Sequence, residues 1–209
     1  MLTHRIAHEQ DLPRLRRLAD LAIDALQRDV LTPDQVGASR AIMGIDSRLV
    51  ADGTYFVVEH DGVLAGCGGW SRRRATYGGD HSAGRDQALL DPDRDPARIR
   101  AMYAHPGHVR RGVGRFVLSL GEEAARSAGF HDLELLATLA GLPLYRSYGF
   151  TPFEDVVEEV AGTRIPLVRM RKTIGDVTAA PAGPGTPSAR SGPARRATCR
   201  SSAAPRGPR

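Results

Sequence analysis

The chain has 209 residues, 41% hydrophobic and 25% charged, which is the composition of one globular domain of ordinary size rather than of a wholly disordered chain. Its formal charge is +5, but the segment from Gly175 on holds six arginines and one aspartate, so it carries the whole excess and the remainder implies no basic nucleic-acid groove. No apolar run approaches the roughly twenty residues of a membrane span, the N-terminal MLTHRIAHEQDLPRL has no apolar signal core, and Cys67 and Cys199 lack both disulfide-framework and metal-site spacing; we expect a cytoplasmic protein without a metal or a membrane partner.

In chain order, Leu2–His8 reads as a first strand. Asp11 is placed to cap a helix whose first turn holds Pro13, and Leu15, Leu18, Ala19, Ala22 and Leu26 give it helical periodicity. Asp29–Thr32 breaks the pattern. Thr32 and Gln35 then have capping-box spacing for a short second helix ending near Gly44. Thr54–Glu59 is β-branched and aromatic, Asp61-Gly62 is a hairpin turn signal, and Val63–Trp70 returns as the partner strand. Gly66, Gly68 and Gly69 in that partner predict a bulge or a close backbone approach. Ser71–Ala97 is a long, weakly apolar excursion, read with equal weight as functional or as solvated.

Ile99, Ala101 and Tyr103 alternate as in a strand, which His105-Pro106-Gly107 stops. Arg110-Arg111-Gly112-Val113-Gly114-Arg115 follows, and then a helix with Phe116, Leu120, Ala124 and Ala128 on one face, Val113 and Val117 beside it, and Gly129 closing it. A glycine-rich turn between strand and helix lets backbone N–H groups converge at a partly positive helix N-terminus, which suits a phosphate or pyrophosphate. A Walker A loop is excluded, because the only lysine is Lys172. A dinucleotide turn is disfavoured, because the third glycine position is Val117, although Glu134 lies where a ribose-binding acid is expected. Asp132–Leu136 is a further strand, Phe150–Val160 and Arg164–Arg171 are closing strands around Ala161-Gly162-Thr163, and 175–209 is an Ala/Pro/Gly/Arg-rich tail expected to be disordered, which sets a domain at 1–174.

The arginine-glycine turn with its helix resembles motif A of the GNAT superfamily of acyl-CoA-dependent N-acyltransferases, departing at the first position of its Gln/Arg-x-x-Gly-x-Gly/Ala pattern, which is Val109. Leu144, Tyr145, Gly149 and Phe150 resemble the motif B ending, without the asparagine many relatives carry before it; here the residues are Thr138-Leu139-Ala140-Gly141. The resemblance covers about Thr3 to Thr173. It implies an α/β (α+β) fold with a mixed, mostly antiparallel sheet, flanking helices and a splayed strand pair, and transfer of an acetyl group from acetyl-CoA to a primary amine of a small molecule or peptide. It also implies that Met102, Tyr103 and Ala104 offer their strand edge to the pantetheine, that Val109, Arg110, Arg111, Gly112, Val113, Gly114 and Arg115 hold the pyrophosphate, and that Tyr145 protonates the leaving thiolate, with Tyr148 as fallback. The general base stays open among Glu59, His81, Asp93, Asp95, His105 and a water relay. Homodimers are common in the superfamily, and no stretch here decides the matter. The alternatives are a non-catalytic acyl-CoA-binding module and, less favoured, a nucleic-acid partner for the basic tail.

Overall fold

The computed structural model describes residues 1–82 and 86–175. The tail expected at 175–209 therefore lies, beyond Gly175, outside the described residues. Strand β1 (Leu2–Ile6) is shorter than the sequence predicts, because Asp11 reaches back to accept the His8 N–H at 2.9 Å and starts a 3-10 turn at Glu9–Asp11. Asp11 thus makes no side-chain cap on helix α1 (Leu12–Leu26). Its carboxylate is held instead by Arg5, through two contacts of 2.7 Å, and by Arg14 Nε at 3.0 Å. Helix α2 (Pro33–Ser39) starts on the predicted capping box: Gln35 N–H donates to Thr32 Oγ1 at 3.3 Å, and Thr32 N–H to Gln35 Oε1 at 3.0 Å. It ends well before Gly44. Helix α3 (Ser47–Ala51), capped by Asp46 through the Arg48 N–H, is too short to show a period and was not legible in the sequence.

Strands β2 (Tyr55–His60) and β3 (Val63–Ser71) form the predicted hairpin; Asp61 and Gly62 have φ of 51° and 80°, both positive as a type I′ turn requires. There follow β4 (Ala97–Ala104), α4 (Val113–Ser127), β5 (Asp132–Thr138), α5 (Leu142–Ser147), β6 (Thr151–Val160) and β7 (Thr163–Thr173). The sheet order is β1-β2-β3-β4-β5-β7-β6, and every neighbouring pair is antiparallel except β4 and β5. Helices α1 to α3 cover one face, with Tyr55, Val57, Cys67 and Tyr103 in the core beneath them. Helix α4 covers the other face, over Val58 and Ala65 and over Trp70 and Ile99.

Two features of β3 and β4 correct the sequence reading. The buried line of α4 is Val113, Val117, Leu118, Gly121 and Ala125, not Phe116, Leu120, Ala124 and Ala128. The β3 glycines decide this. A Cβ on Gly66 would sit 2.5 Å from Val113 Cγ1, and one on Gly68 2.6 Å from Val117 Cγ1, so the helix settles into a groove that only glycine leaves open. In β4, Gly69 pairs with Arg100 and Cys67 with Tyr103, so β4 carries one extra residue across that step. The left-handed residue in it is Ala101, φ 51°. Such a bulge turns the strand. Ile99 and Tyr103, expected on one face, therefore join opposite cores.

Candidate active site

Strands β4 and β5 pair at Ala97↔Leu133 and Arg98↔Glu134, and no further. From Ile99 to Ala104 the β5-facing edge of β4 has no strand partner, so its backbone polar groups face the gap. A cavity of about 800 Å³ opens there. The bulge is held from behind by Tyr55, whose hydroxyl donates to the Ala101 carbonyl at 2.5 Å and lies 3.2 Å from Cys67 Sγ.

At the end of β4 the chain makes a 3-10 turn, Pro106–His108. His105 accepts the Gly107 N–H on Nδ1 at 3.0 Å, so its side chain builds the turn. Arg110 (φ 64°) and Gly112 (φ 83°) are both left-handed, and α4 begins immediately after Gly112. The first main-chain bond into the helix is Phe116 N–H to Gly112 O at 2.9 Å, which leaves the N–H groups of its opening turn without intrahelical acceptors. Consecutive N–H groups in such a turn form an anion-binding concavity. Arg115 stacks over Tyr148 at 5.2 Å and donates to Ser147 O at 3.4 Å, fastening α4 to α5.

Of the predicted site residues, Met102, Tyr103, Ala104, Val109, Arg110, Gly112, Val113, Gly114, Arg115 and Tyr145 all line the cavity, and Arg111 does not. Tyr145 packs edge-on against Phe150 at 6.1 Å, and burial pushes its hydroxyl up to about 12. Tyr148 lies outside the lining, between Phe150 and Lys172. None of Glu59, His81, Asp93, Asp95 and His105 lines it either. Glu59 faces Arg14 at 3.5 Å, and the Asp95 carboxylate accepts the Asp91 N–H within its own loop. Glu134, where a dinucleotide-binding acid would stand, is buried against Arg98. Cys67 lines the cavity, but burial pushes its thiol up to about 12, which removes it as a nucleophile at neutral pH.

The structure adds residues that sequence reasoning missed. Thr76, Tyr77 and Gly78, from the long excursion, line the cavity, so that excursion is part of the site wall. Arg100 is buried there, with Nη1 on Asp46 at 3.0 Å and Nη2 donating to Gly78 O at 2.6 Å. An arginine in the interior strand was the available signal. Gln27, Ile42, Met43 and Gly44 complete this end, where Tyr103 Oη accepts the Gly44 N–H at 2.7 Å.

A sequence profile described as the Acetyltransferase (GNAT) family matches residues 20–150. No curated protein matches the chain. Among solved structures, a GCN5-related N-acetyltransferase from Rhodopseudomonas palustris superposes with a TM-score of 0.61 at 18% identity, covering 82% of this chain and 94% of its own. The yncA protein of Salmonella typhimurium, solved with its cofactor acetyl-CoA, gives 0.56 at 22% identity, covering 87% and 98%. The paia N-acetyltransferase of Thermoplasma acidophilum, in complex with coenzyme A, gives 0.54 at 13% identity, covering 83% and 99%. At these identities the likeness is one of fold.

Proposed function

The chain belongs to the GNAT acetyltransferase family, and from that premise we propose that it transfers an acetyl group from acetyl-CoA to a primary amine of a small molecule or peptide. The observation that carries this reading is the continuity of the cleft: an unpaired β4 edge runs into a left-handed turn at the N-terminus of α4, along one cavity wall.

The residues present fit acetyl-CoA. The N–H groups around Gly112 to Arg115 suit its pyrophosphate, with Arg110 adding positive charge on the cavity side. The edge of Met102, Tyr103 and Ala104 suits an extended amide chain, added to the sheet as a further strand. When bound, acetyl-CoA supplies an acyl group activated as a thioester.

This chain's residues then have three tasks. The β4 edge fixes the donor beside the bulge, which orients the two reactants. Its N–H groups offer donors to the negative charge that develops on the acyl oxygen. Tyr145 gives its proton to the departing sulfur as the C–S bond breaks and the C–N bond forms; the amine's surplus proton leaves to water. A hydroxyl held up at about 12 stays protonated at neutral pH and so remains available as an acid. The Thr138–Gly141 segment, which lacks the asparagine of many relatives, contributes Thr138, Ala140 and Gly141 to the wall.

Calorimetric titration of the full chain with acetyl-CoA, NADH and ATP tests the proposal. Saturable binding of acetyl-CoA alone is expected. No acetyl-CoA binding by folded protein overturns the reading, and NADH binding in its place returns the turn to a dinucleotide site. Acetyl-CoA binding that never leads to acetylation of an amine marks the chain as a binding module.

A further inference from the structure

The cavity extends beyond the β4 bulge to a second end, walled by the last turn of α1, by Ile42–Gly44 and by Thr76–Gly78. Gln27 stands in this wall and is 4% exposed. Its Nε2 donates to Met43 Sδ at 3.7 Å. A thioether sulfur only accepts, so this contact fixes which way the amide faces. Its Oε1 is then buried with no hydrogen-bond partner among the described residues. A buried carbonyl left without a donor is costly, and a ligand donor that meets it recovers that cost.

The charge of the wall narrows the ligand further. Among the described residues that line the cavity there is no aspartate or glutamate. Asp46 stands behind the wall and is held by Arg100 and by the Arg48 N–H. Glu158 is outside the lining, and its charge, after burial, holds the Tyr77 hydroxyl above its ordinary value. Ile23, Leu26, Ile42, Met43 and Leu167 make the rest of this end largely apolar. An ammonium entering here sheds water without meeting an acid of its own, and it does so near Arg100. A weakly basic amine enters uncharged, with its lone pair free to attack.

We propose that Gln27 sets acceptor specificity, accepting a hydrogen bond on Oε1 from an N–H of a weakly basic primary amine carried on a compact apolar body. The proposal rests on the acetyl-transfer reading above. Polyamines and lysine side chains are poor acceptors on this account. The transfer itself needs no co-reactant besides acetyl-CoA: the amine gains the acyl carbon and loses one proton, and the thiol leaves protonated.

The test uses the full chain in two stages. Calorimetry with acetyl-CoA comes first, because its failure overturns acetyl transfer as such. Release of free thiol is then followed with L-phenylalaninamide, p-anisidine, spermidine and Nα-acetyl-lysine. We expect kcat/KM for the first two to exceed the others by about tenfold or more. Gln27→Met keeps the length but not the acceptor, and should raise KM for L-phenylalaninamide by about tenfold with acetyl-CoA affinity unchanged. Gln27→Glu keeps an oxygen and adds charge, and should move the preference toward spermidine. The proposal is overturned if spermidine or Nα-acetyl-lysine is the best wild-type acceptor. It is also overturned if neither weakly basic probe turns over while acetyl-CoA binds, or if both variants leave the ranking of acceptors unchanged.

Discussion

Arg98 and Glu134 are the last cross-strand pair on which β4 and β5 meet before the sheet opens. Their side chains are 12% and 6% exposed, and Arg98 Nη1 lies 2.5 Å from Glu134 Oε1, an ion-pair contact off the hydrogen-bond axis. Arg171 approaches the other carboxylate oxygen at 3.4 Å from the more exposed side. The pair thus sits at the root of the cleft and fixes where the strands part.

Glu134→Gln leaves the Arg98 guanidinium buried without its countercharge. Breaking one partner of a buried pair costs about 3 kcal/mol. For a domain of this size that lowers Tm by roughly 6–12 °C, measured by thermal unfolding. A loss within 1 °C would mean that the strands are pinned by packing alone.

The bulge makes its own prediction. Ala101 holds φ 51°, which a β-branched residue tolerates poorly and glycine adopts freely. Ala101→Val should destabilise the fold by about 2 kcal/mol, whereas Ala101→Gly should stay within about 1 kcal/mol, since relief of strain offsets lost packing and added chain entropy. Denaturant unfolding of the two variants decides this. Equal tolerance of valine would contradict the left-handed residue on which the geometry of the cleft depends.

In the role proposed for Tyr145, replacement by Phe should lower kcat on the order of a hundredfold with little change in acetyl-CoA affinity, because that role loses only its proton donor. The pH profile carries a sign. The hydroxyl acts when protonated and burial raises it to about 12, so its alkaline limb moves upward and kcat should not fall on its account between pH 8 and about 10. A Tyr145-dependent decline centred near the ordinary tyrosine value of about 10 would contradict the burial.

Asp11 gives stability a pH dependence of known direction. Arg5, above all, holds its carboxyl well below the usual carboxylate range, with the His8 N–H and Arg14 acting the same way against burial. A depressed folded value means that the stabilisation is complete above the unfolded value of about 3.9 and is lost as pH falls through and below it. Asp11→Asn should cost about 2 kcal/mol at pH 7. The gap between variant and wild type should shrink as pH drops from about 5 toward 2, as urea unfolding across that range would record. A gap that stays constant with pH would assign the loss to packing.

The sequence alone determined what is local. Positive-φ turns at Asp61-Gly62 and Ala161-Gly162, the Thr32–Gln35 box and the glycine-rich entry to α4 were all legible, because each depends on residues a few positions apart. Those same local signals in order, with Tyr145 and its neighbours, were enough to bring out the family and most of one cavity wall. Tertiary structure alone decided the rest. No local rule predicts that β4 takes an extra residue at Ala101, and one such residue sends Ile99 and Tyr103 to opposite cores. The buried face of α4 was set by glycines on another strand. The far end of the cavity gathers Gln27, Met43, Tyr77 and Arg100 from four separate segments. Their chemistry exists only once burial removes water from them and leaves each polar atom to find its partner across the fold.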